Sequence, residues 1–223
     1  MTSRLIFIMD SIMKVRDFKE LRHETYPAHI LNDWFRKNVH VDSETWRQLY
    51  VDLLSKASED SELLAWIKLI EHAELFHVYL VREISHNANH DHSKDGFYRL
   101  VTNARFALLD SKQTVSEELE SIFQKECNRH YEIEAHHPEH ENFHKQHCSD
   151  MDIREMAHDR MSRSAQMNKG EVKISELHTF FLPKFPRQTK VEEKRRQRIY
   201  IEEIENKLPE MKGAYEKTIQ KMD

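Results

Sequence analysis

Glycine is the residue that this chain most lacks, and its scarcity constrains the fold more than any other feature. The 223 residues include three glycines and five prolines. Tight β-hairpin turns need Gly, Asn or Asp at positive φ, so the composition argues against an all-β fold. Although 33% of the residues are charged, large apolar residues recur at helical intervals along the chain. The sequence therefore predicts a folded, all-α protein.

Helical periodicity divides the chain into three parts. Residues 1–58 are predicted to form an N-terminal helical extension, residues 59–186 a helical core, and residues 187–223 a C-terminal charged helix. The last helix is predicted to pack through a sparse stripe of Ile201, Ile204 and Leu208. The helices predicted for the core run over about residues 62–84, 97–109, 115–130, 153–170 and 174–182.

Charge and cysteine content limit the classes of partner. The net charge of -5 argues against a nucleic-acid surface, because phosphate binding depends on clustered Lys and Arg. The basic cluster at residues 194–198 lies among glutamates and is predicted to be a solvated helix face. Cys127 and Cys148, without a signal peptide or a long apolar run, indicate no disulfide framework and no membrane segment. We expect a soluble cytoplasmic protein, and homo-oligomerisation stays open.

Histidine is the residue in excess. The chain has sixteen, and most of them fall between His72 and His147. In chain order, the candidate metal ligands on predicted helices or at helix ends are His77, His90, Asp91, His130, His136, His137 and Asp159. Adjacent His and Asp can reach one cation, and a His and an Asp from other helices would complete its shell. The remaining histidines would suit a second ion, and two ions can clamp a phosphate ester.

The order His77, His90-Asp91 and Asp159 resembles the H…HD…D signature of the HD-domain metal-dependent phosphohydrolase superfamily. The segment His90-Asp91-His92-Ser93-Lys94 is more closely similar to the HDLSK element of an uncharacterised branch that is frequent in phages and bacteria. Members of that branch continue with an HH segment and an EMxxD helix. Here these elements are His136-His137-Pro138-Glu139-His140 and Glu155-Met156-Ala157-His158-Asp159, and the likeness spans about residues 62–182.

The resemblance implies an HD-like helical bundle with extra N-terminal helices. It implies one metal ion on His77, His90, Asp91 and Asp159, with His130, His136 and His137 as the extra ligands of dinuclear members. Asp91 would bridge the ions, and Lys94 would neutralise charge that develops on the phosphoryl oxygens. The implied substrate is a nucleotide or another small phosphorylated metabolite, hydrolysed by a cation-activated water. Mn, Fe, Zn, Ni or Co would each suit these donors, as one ion or two.

Three alternatives stay open. The 13-residue gap between His77 and His90 is shorter than the family usually has, so His72 could be the first ligand instead. Helical phase favours His77, which shares a face with Leu80. His92 stands where the branch usually has Leu and is either an extra ligand or a solvent-facing substitution. For function, the alternatives are an HD-like di-iron oxygenase and a non-catalytic helical metal-binding or interaction protein.

Overall fold

Every regular element in the described part of the chain is an α-helix. The computed structural model describes residues 61–85, 90–110, 112–141, 148–181 and 189–222, with seven positions between Thr45 and Ser55. In chain order the helices are α1 (Ser61–Ser85), α2 (Gly96–Asp110), α3 (Glu117–Ile133), α4 (Asp150–Met167), α5 (Ile174–Phe181) and α6 (Lys190–Met222). The predicted all-α fold is confirmed, and its HD-like arrangement stays a prediction. The predicted domain boundaries at 58 and 186, and most of the N-terminal extension, lie outside the described residues.

The first of two compact units comprises residues up to 74 and residues 94–128. Among its described residues, buried side chains from the first half of α1, from α2 and from the start of α3 form a hydrophobic cluster. The cluster consists of Trp66, Ile67, Ile70, Phe97, Leu100, Val101, Ala104, Leu108, Leu119 and Ile122. Beside it, Arg105 Nε donates to Glu120 Oε2 over 2.7 Å. The apolar repeats that predicted these helices are therefore the surfaces by which they pack.

The second unit comprises residues 75–93 and 129–223, and it contains most of the buried polar residues of the described chain. Helix α6 packs along α4. The ring of Phe76 meets the edge of Tyr215 with 5.3 Å between centroids. Both cysteines are buried, Cys127 in the first unit and Cys148 in the second.

The buried face of α6 corrects two predictions. Of the predicted stripe only Ile204 is buried, because Ile201 and Leu208 are half-exposed. The inner face instead alternates apolar with polar side chains, and it includes Arg196, Ile199, Tyr200, Glu203 and Ile204. Arg196 is fully buried and its Nε donates to Glu192 Oε1 over 2.9 Å, so the basic cluster is not wholly solvated. Charged side chains can be buried when they are paired with a partner of opposite charge. A search for apolar residues at helical spacing cannot find such positions.

Helix α4, which carries Glu155 and Asp159, begins at a capping box. Ser149 Oγ accepts from the backbone N–H of Asp152, and the Asp152 carboxylate accepts from the backbone N–H of Ser149, both over 3.1 Å. These bonds satisfy two N–H groups that the helix leaves unpaired.

We expect Ser149→Ala to lower the free energy of unfolding by about 1 kcal/mol, because the side-chain acceptor is lost. Urea unfolding followed by circular dichroism measures the change. Ser149→Thr is the matched control, since it keeps the acceptor oxygen and should stay close to the wild type. Equal losses in both variants would contradict a capping role for the oxygen.

Candidate metal centre

Four buried side chains bring donor atoms together in the second unit. They are His77 from α1, His90 and Asp91 from the turn at residues 90–93, and Asp159 from α4, and their donor atoms all lie within 4.8 Å of one another. His77 Nε2 is 2.9 Å from Asp159 Oδ1, 3.4 Å from His90 Nε2 and 3.6 Å from Asp91 Oδ2. His90 Nε2 is 3.3 Å from Asp91 Oδ2 and 3.4 Å from Asp159 Oδ1.

These spacings can be compared with the edges of a coordination shell. Donors bonded to one ion at roughly 2.0–2.1 Å are about 3.3 Å apart in a tetrahedron and about 2.9 Å apart at the neighbouring corners of an octahedron. The five observed distances run from 2.9 to 3.6 Å. The donors therefore fit a first-row divalent ion, and these buried groups could hold one.

Asp91 has an uncommon backbone conformation, and its two carboxylate oxygens face different histidines. Its φ is 57°, in the left-handed region that Asp adopts more readily than most non-glycine residues. Its Oδ2 faces His77 and His90, whereas its Oδ1 lies 3.7 Å from both His130 Nε2 and His136 Nε2. The carboxylate is thus shared between two sets of histidines.

The second set of histidines comes from α3 and the loop that follows it. Asp91, His130 and His137 form a group whose donor atoms also lie within 4.8 Å, and the Nε2 atoms of His130 and His137 are 2.7 Å apart. His136 Nε2 has no hydrogen-bond partner among the described residues and faces Asp91 Oδ1. All of these histidines are buried. A second cluster of nitrogen donors therefore lies on the other side of Asp91.

A third group, formed by His90, His136 and Glu155, is better explained as support for the first two. Both rings turn Nδ1 towards Glu155 Oε1, at 3.2 Å from His90 and 3.5 Å from His136. Their Nε2 atoms face Asp91. A carboxylate on the outer nitrogen fixes the orientation of a ligating imidazole, so Glu155 can orient one ring of each set.

Burial and charge keep His77 in the form that binds a cation. Burial lowers the pKa of His77 to about 4, and the positive charge of Arg163 adds to this effect, although Asp159 and Asp91 oppose it. Burial also lowers the pKa of His136, as does the positive charge of His90. Neutral imidazole is the metal-binding form, so both rings are suited to bind metal at neutral pH.

His90 behaves in the opposite way. Burial by itself would lower its pKa, but Asp91, Asp159 and Glu155 favour the imidazolium, and the net effect raises the pKa of His90 well above its ordinary value. Without a cation the carboxylates therefore retain a proton on this ring. A metal ion that binds at His90 Nε2 has to displace that proton.

The structure brings all seven predicted metal ligands into the two sets that share Asp91. His72 belongs to the first unit and to none of the donor groups found among the described residues. The side chain of His92 is 61% exposed and contacts Glu134, as a solvent-facing substitution would. Lys94 also belongs to the first unit, and its predicted role at phosphoryl oxygens stays a prediction.

Three polar residues beside the ligands were not predicted: Ser93, Glu134 and Glu155. The signal that could have found the two glutamates is helical spacing. Glu134, directly after the end of α3, follows His130 by four residues, and Glu155 precedes Asp159 by four within α4, a spacing that puts each on the same side as a ligand. Ser93 has no such signal, because its partners lie 37 and 41 residues away.

A buried charged network joins α4 to α6. His158 Nε2 lies 2.8 Å from Glu203 Oε1, and Arg154 donates to Glu203 Oε2. Burial would raise the pKa of Glu203, but the bonds from His158 and Arg154 outweigh it, so the pKa of this carboxyl is lowered. A lowered pKa contributes stability above the unfolded value near 4.5, and that contribution is lost as pH falls through the folded value.

We expect Glu203→Gln to lower the free energy of unfolding by about 1–2 kcal/mol at neutral pH, because two charge-assisted bonds lose their anion. The difference from wild type should shrink as pH falls below the ordinary carboxyl pKa of about 4.5 and through the lowered folded pKa, because the wild-type carboxyl then takes up a proton. Urea titrations at several pH values test this. Glu205→Gln, an exposed change on the same helix, is the control. A difference that stays constant with pH would contradict the assignment.

Comparisons with known proteins found no matching family model, no matching curated protein and no matching solved structure. Among the described helices, none is both long and apolar enough to cross a membrane. The donor geometry is therefore the basis on which a function can be proposed.

Proposed function

We propose that this chain is a metal-dependent phosphohydrolase that cleaves a phosphate ester or anhydride of a nucleotide or another small phosphorylated metabolite. The observation that carries the proposal is the division of Asp91 between two sets of histidines, with Oδ2 facing His77 and His90 and Oδ1 facing His130 and His136. A shared carboxylate suits two ions about 3.5–4 Å apart, the spacing that clamps the attacking and leaving oxygens of phosphoryl transfer. The resemblance to the HD signature supports the same reaction class.

In this proposal each residue has a defined task. His77, His90 and Asp159 would hold one ion, the second set of histidines (His130, His136 and His137) would hold the other, and Asp91 lies between the two sets. Glu155 keeps the Nε2 atoms of His90 and His136 directed at Asp91. When bound, the two cations would supply Lewis-acid polarisation and a nucleophile at neutral pH. Lys94 would balance the charge of the phosphoryl oxygens, as its place in the HDxSK segment implies.

A metal-resolved activity screen tests the proposal. The full chain is stripped with a chelator, reloaded separately with Mn, Fe(II), Co, Ni or Zn, and assayed on p-nitrophenyl phosphate, bis(p-nitrophenyl) phosphate and a panel of nucleotides. We expect hydrolysis that appears with at least one metal and disappears on chelation.

Three other outcomes of the screen would contradict the proposal or favour one of the alternative functions. A chain that binds two ions but hydrolyses none of these substrates would contradict the proposal. Consumption of dioxygen by the iron-loaded chain would favour the di-iron oxygenase. Loss of helix on chelation, with no catalysis to lose, would favour a structural metal site.

A further inference from the structure

A chain of buried hydrogen bonds lies behind His130. Ser93 Oγ is 2.7 Å from Glu134 Oε1 on one side and 2.6 Å from His130 Nδ1 on the other. His130 is completely buried, and Ser93 and Glu134 are no more than 6% exposed. Both contacts lie in the interior, where buried polar groups are normally paired with other protein groups.

The chemistry of the three groups fixes the direction of the chain. A carboxylate can only accept, so the Ser93 hydroxyl must donate its single hydrogen to Glu134. Ser93 Oγ then has only lone pairs left for His130, and the His130 Nδ1–H must donate to it. A neutral ring that is protonated on Nδ1 carries a lone pair on Nε2. That lone pair faces His137 Nε2 at 2.7 Å and Asp91 Oδ1 at 3.7 Å.

The backbone N–H, the carbonyl and the hydroxyl of Ser93 each make a hydrogen bond. Its backbone N–H donates to Glu134 Oε1 over 3.0 Å, and its carbonyl accepts from Arg129 Nη2 over 2.9 Å. The hydroxyl therefore cannot turn away from His130 without breaking other bonds. In the first set of ligands, His77 has no comparable hydrogen-bonded support, because its Nδ1 has no hydrogen-bond partner among the described residues. The support from Ser93 and Glu134 therefore acts on His130, whereas Glu155 contacts one ring of each set.

We propose that Glu134 and Ser93 are positioning residues that hold His130 in the Nδ1–H tautomer and thereby set the affinity of the second metal ion. That ion is the one bound by Asp91, His130, His136 and His137, so the inference rests on the proposed function. Outer partners of ligating histidines fix both tautomer and ring orientation. Loss of the serine hydroxyl should weaken the binding of the second ion. Binding of the ion at His77, His90 and Asp159 should not change.

The test is a cobalt(II) titration of the metal-free full chain, followed by visible absorption and by competition with a chelator. For Ser93→Ala we expect the second equivalent to bind about 10- to 100-fold more weakly, with the first unchanged. Ser93→Thr keeps the hydroxyl and should restore the wild-type affinity. Ser162→Ala is the matched control, because the Ser162 hydroxyl is also buried in the same unit and has no hydrogen-bond partner among the described residues.

A second measurement depends on neither metal binding nor activity. Nitrogen-15 correlation spectra of the metal-free wild type report which ring nitrogen of each histidine carries the proton. We expect the Nδ1–H tautomer for His130 in the wild type and in Ser93→Thr, and its loss in Ser93→Ala. A wild-type His130 protonated on Nε2 would overturn the proposal even if Ser93→Ala failed to fold.

The outcomes separate this inference from the proposed function. If the wild type hydrolyses phosphate esters and Ser93→Ala binds both metal ions with wild-type affinity, the positioning role is contradicted and the proposed hydrolase is not. If the wild type binds two ions and Ser93→Ala loses the second, but no phosphate ester is hydrolysed, the positioning role stands and the hydrolase fails. A wild type that binds fewer than two ions would overturn the positioning role.

Discussion

Asp91→Asn is expected to abolish the binding of both metal ions and, with it, the proposed hydrolysis. The change keeps the size of the side chain and removes the charge that both histidine sets face, at 3.3 Å from His90 and 3.7 Å from His130. An amide cannot offer two anionic oxygens to two cations. Activity should therefore fall by more than the roughly 100-fold that loss of an outer partner costs at its upper limit.

The measurement combines equilibrium dialysis against metal with the phosphate-ester assay. Glu205→Gln removes one exposed carboxylate from α6 and should behave like the wild type in both. Circular dichroism checks that the helices of the Asp91 variant are intact. Retention of two ions by a folded Asp91→Asn chain would show that this carboxylate does not bridge them.

Metal loading is expected to produce a large gain in stability. An ion that binds the folded chain alone stabilises it by about 4 kcal/mol when its free concentration is about 1,000 times Kd. For a chain of this size that corresponds to an increase in Tm of about 8–16 °C. Differential scanning calorimetry with metal, and then with excess chelator, measures the shift and its reversal. A Tm that does not respond to either treatment would contradict a metal centre in the folded state.

The gain should also depend on pH, because the pKa of His90 is raised. The proton on His90 stabilises the metal-free chain fully below the unfolded histidine pKa of about 6.5, and this stabilisation is lost as pH rises through the raised folded value. A cation replaces that proton, so the metal-induced shift in Tm should be larger at about pH 8 than at about pH 6. A larger shift at the lower pH would contradict proton displacement at His90.

The sequence predicted the helices well where one face is apolar. In α1 the repeat of Trp66, Ile70, Ala73, Leu80 and Ile84 identifies the inner side, and all of these residues are buried. In α6 the same reasoning identified Ile204 but missed the buried polar residues of the inner face. Arg196 and Glu203 are buried there because Glu192, Arg154 and His158 pair with them, and such pairing depends on three-dimensional contacts.

A similar division applies to the candidate site. Residue type, chain order and helical position were enough to nominate every residue of the two ligand sets, because imidazole and carboxylate donors are recognisable in a sequence. The supporting residues were not nominated. Ser93 acquires its role from Glu134, 41 positions away, and Glu155 acquires its role from His90, 65 positions away. The contact between Ser93 and Glu134 has no local signal in the sequence, whereas Glu155 has one in its four-residue spacing from Asp159 on α4.

Elemental analysis of the gently purified and then metal-reconstituted wild-type chain is the most direct test of a dinuclear centre that shares Asp91. We predict two equivalents of a transition metal per chain. Absence of bound metal, even after reconstitution, would contradict the account.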